Sequence, residues 1–102
     1  PFAKNCPFPD PVQQSMRFCS EPRYIALMEE VGTDIVELTG DHFQDWGEEA
    51  MYYTLDLYKQ RSWLYYGGGE DLQEGRQAVT IEHNGNRLAF IGCNGKGASA
   101  SG

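Results

Sequence analysis

Basic residues are scarce in this sequence. Eight Lys and Arg stand against 15 Asp and Glu in 102 residues, a formal net charge of −7. A surface of that sign repels phosphate backbones and anionic lipid headgroups, which argues against nucleic acid and against membrane-surface binding. No apolar run approaches the ~20 residues that span a bilayer, so no transmembrane segment is expected in this chain, and no signal peptide is visible. Cysteine is sparse too. Cys6, Cys19 and Cys93 are an odd count with no CxxC spacing, which argues against a structural zinc site and against a disulfide-dense scaffold. Three buried or idle thiols is the expected state, with a single Cys6–Cys19 bridge as the alternative for an exported chain. The sequence opens on Pro1, not Met, and reads as processed, trimmed or cut from something longer. The lack of an anchor or export signal therefore says little about location.

What is present suffices for one packed core. The hydrophobic share of 40% lies a little below the globular norm of roughly 45–50% and far above a disordered composition. Five Phe, two Trp and six Tyr supply large anchors for it. The length is one domain's worth.

Three regions follow from composition. Residues 1–19 hold four of the five prolines and read as a Pro-rich extended segment, since each proline removes a donor and pushes its predecessor out of the helical region. Residues 20–93 carry the periodic, folded part. Residues 94–102 are Gly, Ala and Ser with Asn94 and one Lys, a flexible tail.

Within the folded part, Ser20-Glu21-Pro22 is a helix start, with Ser20 as cap and proline in the first turn. Tyr24, Leu27, Met28 and Val31 then form one apolar stripe, and Gly32 stands where a left-handed terminating residue belongs. Asp34-Ile35-Val36-Glu37-Leu38 is a short β-branched strand, followed by a loop through Thr39-Gly40-Asp41-His42-Phe43-Gln44. Asp45-Trp46-Gly47-Glu48 has the capping-box form and opens a second helix, running to about Arg61, with Met51, Leu55 and Tyr58 on one face. Trp63-Leu64-Tyr65-Tyr66 is a second strand, ended by Gly67-Gly68-Gly69. A single helical turn over residues 70–75 comes next. Val79 and Ile81 alternate with polar neighbours up to Asn84-Gly85, a strong hairpin signal, and residues 87–92 return. The pattern is α/β: helix, strand, helix, strand, then a β-hairpin, the first two strands parallel by the right-handed crossover rule.

Asp41, His42 and Asp45 form the one dense cluster of residue types that carry chemistry. The loop holding them leaves the carboxyl end of a strand, where open α/β sheets bind ligands. A carboxylate can hold a hard divalent cation, an imidazole can donate to developing negative charge, and a second carboxylate can fix its tautomer. By spacing alone the plainer reading prevails: Asp45 as helix cap, His42 as a loop histidine, Asp41 solvated. Gly67-Gly68-Gly69 lacks the following Lys-Ser/Thr of a phosphate cradle and reads as a turn too crowded for side chains. His83 reads as a partly exposed hairpin histidine.

Residues 22–94 nevertheless resemble a known family in their order of motifs. A helix ending in Gly is followed by Asp34-Ile35-Val36-Glu37-Leu38, then Gly40-Asp41-His42-Phe43-Gln44-Asp45-Trp46-Gly47, where the family carries Asp-Val-Val-x-Leu and Asn-Asn-His-x-x-Asp-x-Gly. Thr54-Leu55, Tyr66-Gly67-Gly68-Gly69 and Asn84-Gly85 with Arg87-Leu88-Ala89-Phe90-Ile91-Gly92 continue the match. The chain thus resembles the bacterial capsule-synthesis and poly-γ-glutamate-synthesis proteins of the CapA or PgsA type, related to calcineurin-like metallophosphoesterases. That resemblance implies a partial αββα-sandwich fold, a location in the cell envelope or outside the cell, and a polyanionic capsule polymer or a phosphoester as substrate. It implies Asp41 at a metal-ligand position normally held by Asn, His42 as the catalytic histidine donating to a phosphoryl oxygen, and Asp45 as the group orienting it. It further implies a divalent metal (Mn, Mg, Fe or Zn) in the intact protein.

The family's opening Gly-Asp motif, its Asn-Leu-Glu segment and its downstream histidines have no counterpart here. The chain therefore reads as roughly a third of the parent domain, expected to bind no metal and to show no turnover alone. The rival readings are a non-catalytic envelope binding or scaffold domain of the same fold, and a stand-alone α/β module. Cut sheet edges invite pairing with a second copy of the chain, so a homodimer is the expected assembly.

Overall fold

Local signals set most of the element boundaries. The computed structural model describes residues 1–6 and 17–95; the rest of the Pro-rich segment and most of the expected tail lie outside the described residues. A 3-10 turn, Pro22–Tyr24, leads into α1, Ile25–Glu30. Gly32 ends it at φ 70°: its N–H donates to the Glu29 carbonyl at 3.0 Å and that of Thr33 to Met28 at 3.1 Å. This is the Schellman arrangement, which satisfies the last carbonyls of a helix and needs a left-handed residue. Two expectations fail at the other end. The cap position is Glu21, with no side-chain cap bond, not Ser20; the Ser20 backbone is engaged with Pro1 and Ala3. The buried face is also different. Tyr24, Leu27 and Val31 are exposed, while Ile25 is 5% exposed and packs with Phe2 and Leu38. Contacts from distant segments, invisible to a helical period, chose the inner face.

β1, Ile35–Glu37, pairs in parallel with β2, Leu64–Tyr66, in the register Ile35 to Leu64, Val36 to Tyr65 and Glu37 to Tyr66. The crossover between them is α2, Gly47–Gln60, as a parallel pair requires. Both strands are shorter than the apolar runs suggested. Met51 and Leu55 are fully buried and Tyr58 nearly so, the face expected of this helix. Buried Thr54 sits among them: its hydroxyl donates to the Ala50 carbonyl at 2.7 Å and accepts the Phe2 N–H at 2.8 Å. In this way α2 holds the N-terminal segment, with Phe2 in the core.

α3, Leu72–Gly75, is one turn capped by Asp71, whose side chain accepts the Glu74 N–H. β3, Val79–His83, and β4, Asn86–Phe90, form an antiparallel hairpin in the register Val79 to Phe90. Asn84 and Gly85 take φ of 51° and 77°, the positive pair of a type I′ turn. β4 starts and ends earlier than expected. Leu88 and Ile91 are exposed, so the apolar return strand is not a core strand among the described residues. The hairpin meets the first sheet where Gly67 touches Gly92: a Cβ on Gly67 would strike the Thr39 methyl and lie 3.0 Å from the Gly92 Cα. A Cβ on Gly69 would meet Glu74, so crowding accounts for glycine at both positions.

Cysteine is the last correction. Cys6 and Cys19 form a disulfide across a Cα separation of 5.7 Å, and Cys93 is a free, exposed thiol. Phe2 and Ser20 pair as a parallel β-bridge, which sets the segments carrying the two cysteines side by side.

Candidate functional site

Beyond β1 the chain passes Leu38, 5% exposed, whose N–H continues the sheet by donating to the Tyr66 carbonyl at 2.9 Å. The next residues turn back twice, with Phe43 N–H donating to Gly40 and Asp45 N–H to His42, each at 3.4 Å. These turns place Asp41, His42 and Asp45 together at the carboxyl end of the strand.

The geometry centres on the imidazole. His42 Nδ1 lies 2.8 Å from Asp45 Oδ2, and His42 Nε2 lies 3.8 Å from Asp41 Oδ1. Asp45 also accepts the Phe18 backbone N–H on the same oxygen, at 2.6 Å. An ionised carboxylate only accepts, so Nδ1 is the donor of this pair, while Nε2 is on the side of Asp41. The Asp45 side chain is 12% exposed against 40% for Asp41, which suits a buried orienting group beside an open one. The Phe18 ring stands edge-to-face with His42, the centroids 4.5 Å apart.

Asp45 is therefore not the helix cap that its capping-box sequence suggests. The cap position of α2 is Trp46, without a side-chain cap bond, and Gly47 has φ 77°. The carboxylate is instead committed to His42 and Phe18. Phe18 is the residue that sequence reasoning missed, because its contribution is a main-chain donor 27 positions upstream of Asp45. No local pattern announces such a partner.

In chemical kind, Asp41 and His42 suit a divalent cation, a hard carboxylate beside an imidazole. In number they fall short: among the described residues no group of three His, Cys, Asp or Glu side chains converges on one point. Asp41, His42 and Asp45 alone do not make up a metal site. A separate groove of about 460 Å³ runs between the N-terminal segment and α2, lined by Lys4, Trp46, Tyr52, Tyr53 and Asp56 among others. None of the three site residues borders it.

Comparison with known proteins follows the same outline. The model of the family described as "Bacterial capsule synthesis protein PGA_cap" matches residues 4–101. The capsule biosynthesis protein CapA of Bacillus anthracis is 23% identical over 79 residues, covering 78% of this chain and 19% of that protein. The chain thus spans about a fifth of the length of this curated relative. With nearly its whole length matched, the chain belongs to the bacterial capsule synthesis PGA_cap family, whose fold is metallophosphoesterase-like.

Proposed function

We propose that this chain supplies part of a phosphoester-processing site in a protein of capsule polymer synthesis at the bacterial cell envelope, with poly-γ-glutamate as the polymer. In this reading His42 faces a phosphoryl oxygen through Nε2 and donates a proton or hydrogen bond to it once protonated. Asp45 holds the ring, and Asp41 is one of several ligands to a divalent cation. That cation would supply charge neutralisation at phosphorus. Its remaining ligands, and the substrate's other contacts, belong to residues outside this chain.

One observation carries the reading: Asp45 Oδ2 at 2.8 Å from Nδ1 with Asp41 Oδ1 on the Nε2 side at 3.8 Å. A carboxylate–imidazole pair with its second nitrogen turned to another carboxylate is the arrangement an acid–base histidine needs beside a cation. The test is phosphoesterase activity of the full-length protein with added Mn²⁺. Turnover lost by at least a hundredfold in His42→Ala supports the reading; full activity in that variant overturns it.

A second reading is a binding or scaffold domain. The groove lined by Trp46, Tyr52 and Tyr53, away from His42, favours it, since aromatic grooves supply contact area without chemistry. Mn²⁺ titration of the full-length protein separates the two. Saturable binding that perturbs the His42 resonances supports the site, and its absence supports the scaffold.

A further inference from the structure

The segment before α1 is tied at three points. Cys19 is bonded to Cys6. Ser20 donates to the Pro1 carbonyl and accepts from Ala3, both at 3.0 Å, and Phe2 in turn is anchored to Thr54 of α2. Next to this anchored stretch stands Phe18, which contributes two things to the His42 cluster: a main-chain N–H at 2.6 Å from Asp45 Oδ2 and a ring against the imidazole.

The physical consequence lies in what Asp45 would do without that donor. A largely buried carboxylate is held in one orientation by the hydrogen bonds it accepts. With Phe18 N–H on Oδ2, the same oxygen is aimed at His42 Nδ1 and the carboxylate has no reason to rotate. Without it, the carboxylate turns toward solvent and the neutral imidazole loses its preference for carrying the proton on Nδ1.

We propose that Phe18 is a positioning residue for His42, acting through Asp45, and that the Cys6–Cys19 disulfide is the covalent anchor that keeps it there. Its N–H fixes the Asp45 carboxylate, the ring bounds the imidazole, and the outcome is an Nδ1–H tautomer with Nε2 open toward Asp41. The proposal deepens the reading of His42 given above, but its test needs neither metal nor turnover.

The measurement is the tautomer of neutral His42 by ¹⁵N NMR of histidine-labelled, metal-free protein at one mildly alkaline pH, with exposed His83 as internal reference. The parent shows predominantly Nδ1–H at His42. Phe18→Pro, which deletes the donor, and the Cys6→Ser/Cys19→Ser pair each shift the ratio toward Nε2–H by about five- to tenfold, the net worth of one ordinary hydrogen bond. Phe18→Ala keeps the N–H and shifts the ratio less, while moving the ring-proton resonances of His42. His83 stays unchanged throughout. A folded Phe18→Pro protein with the parent's tautomer, or a parent with Nε2–H, overturns the proposal. Should the variants fail to fold, the parent alone decides: a downfield, exchange-protected Phe18 amide supports the clamp, and an unprotected one in the folded protein ends it. Loss of Mn²⁺ binding or turnover would sink the phosphoester reading without touching the tautomer, and a Phe18→Pro protein with the parent's tautomer would end the clamp without touching Mn²⁺ binding or turnover.

Discussion

At Gly67 two constraints coincide. Its φ is 74°, and a Cβ there would run into the Thr39 methyl and the Gly92 backbone. Gly85 has nearly the same φ, 77°, with open space around it. Gly67→Ala is therefore expected to cost about 2–4 kcal/mol, and Gly85→Ala only the backbone share of about 1 kcal/mol. Denaturant midpoints of the two variants check this, and equal losses would mean that the Gly67–Gly92 contact does not hold the hairpin to the first sheet. Tyr58 gives a second residue-scale expectation. Burial pushes its phenol from 10.0 up to about 12. Above pH 10 the unfolded chain loses a proton that the folded chain keeps, so the stability is fully present below pH 10 and drains away up to pH 12. The loss is about 2–3 kcal/mol for that one group. Tyr65, also pushed up to about 12 by burial and by its hydrogen bond to Glu74, acts in the same direction. Unfolding measured at pH 8, 10 and 11 should show this decline, and Tyr58→Phe should make it shallower.

Among the elements, those terminated by local chemistry were legible and those oriented by distant contacts were not. Gly32 and Asn84-Gly85 require left-handed backbone, and α1 and the hairpin turn as they direct. The β1–β2 pair is parallel because one helix of 14 residues must cross between them. The inner face of α1, by contrast, is decided by Phe2 and Leu38, and the role of Asp45 by Phe18; neither partner lies within a helical or strand period. The loop position of Asp41, His42 and Asp45 could be read, but what each one touches could not. The disulfide belongs to the same class, since the Phe2–Ser20 pairing joins segments that no local period connects. Their separation of 13 residues predicts that opening the bridge costs about 3 kcal/mol through unfolded-state entropy. For a chain of this size that lowers the melting temperature by more than about 10 °C. A melt with and without reductant checks it. Thiol titration of the unfolded chain should count one reactive cysteine, Cys93, before reduction and three after.

Across the whole molecule the two small sheets leave a good deal uncovered. Among the described residues each has two strands, whereas parallel strands are ordinarily covered on both faces and two-stranded sheets are marginal alone. Leu64 at 42%, Leu88 at 41% and Ile91 at 76% exposure lie in or just beyond these strands. Such edges template pairing with another chain. The 102-residue chain by itself is therefore expected to self-associate at micromolar concentration, and a lysine at an edge position to oppose it by placing charge on the contact. Sedimentation velocity of the parent beside Leu64→Lys and Ile91→Lys measures this. The parent should sediment as dimer or larger and the variants should shift toward monomer; a parent that is monomeric at tens of micromolar would mean that the exposed apolar edges are already satisfied within one copy.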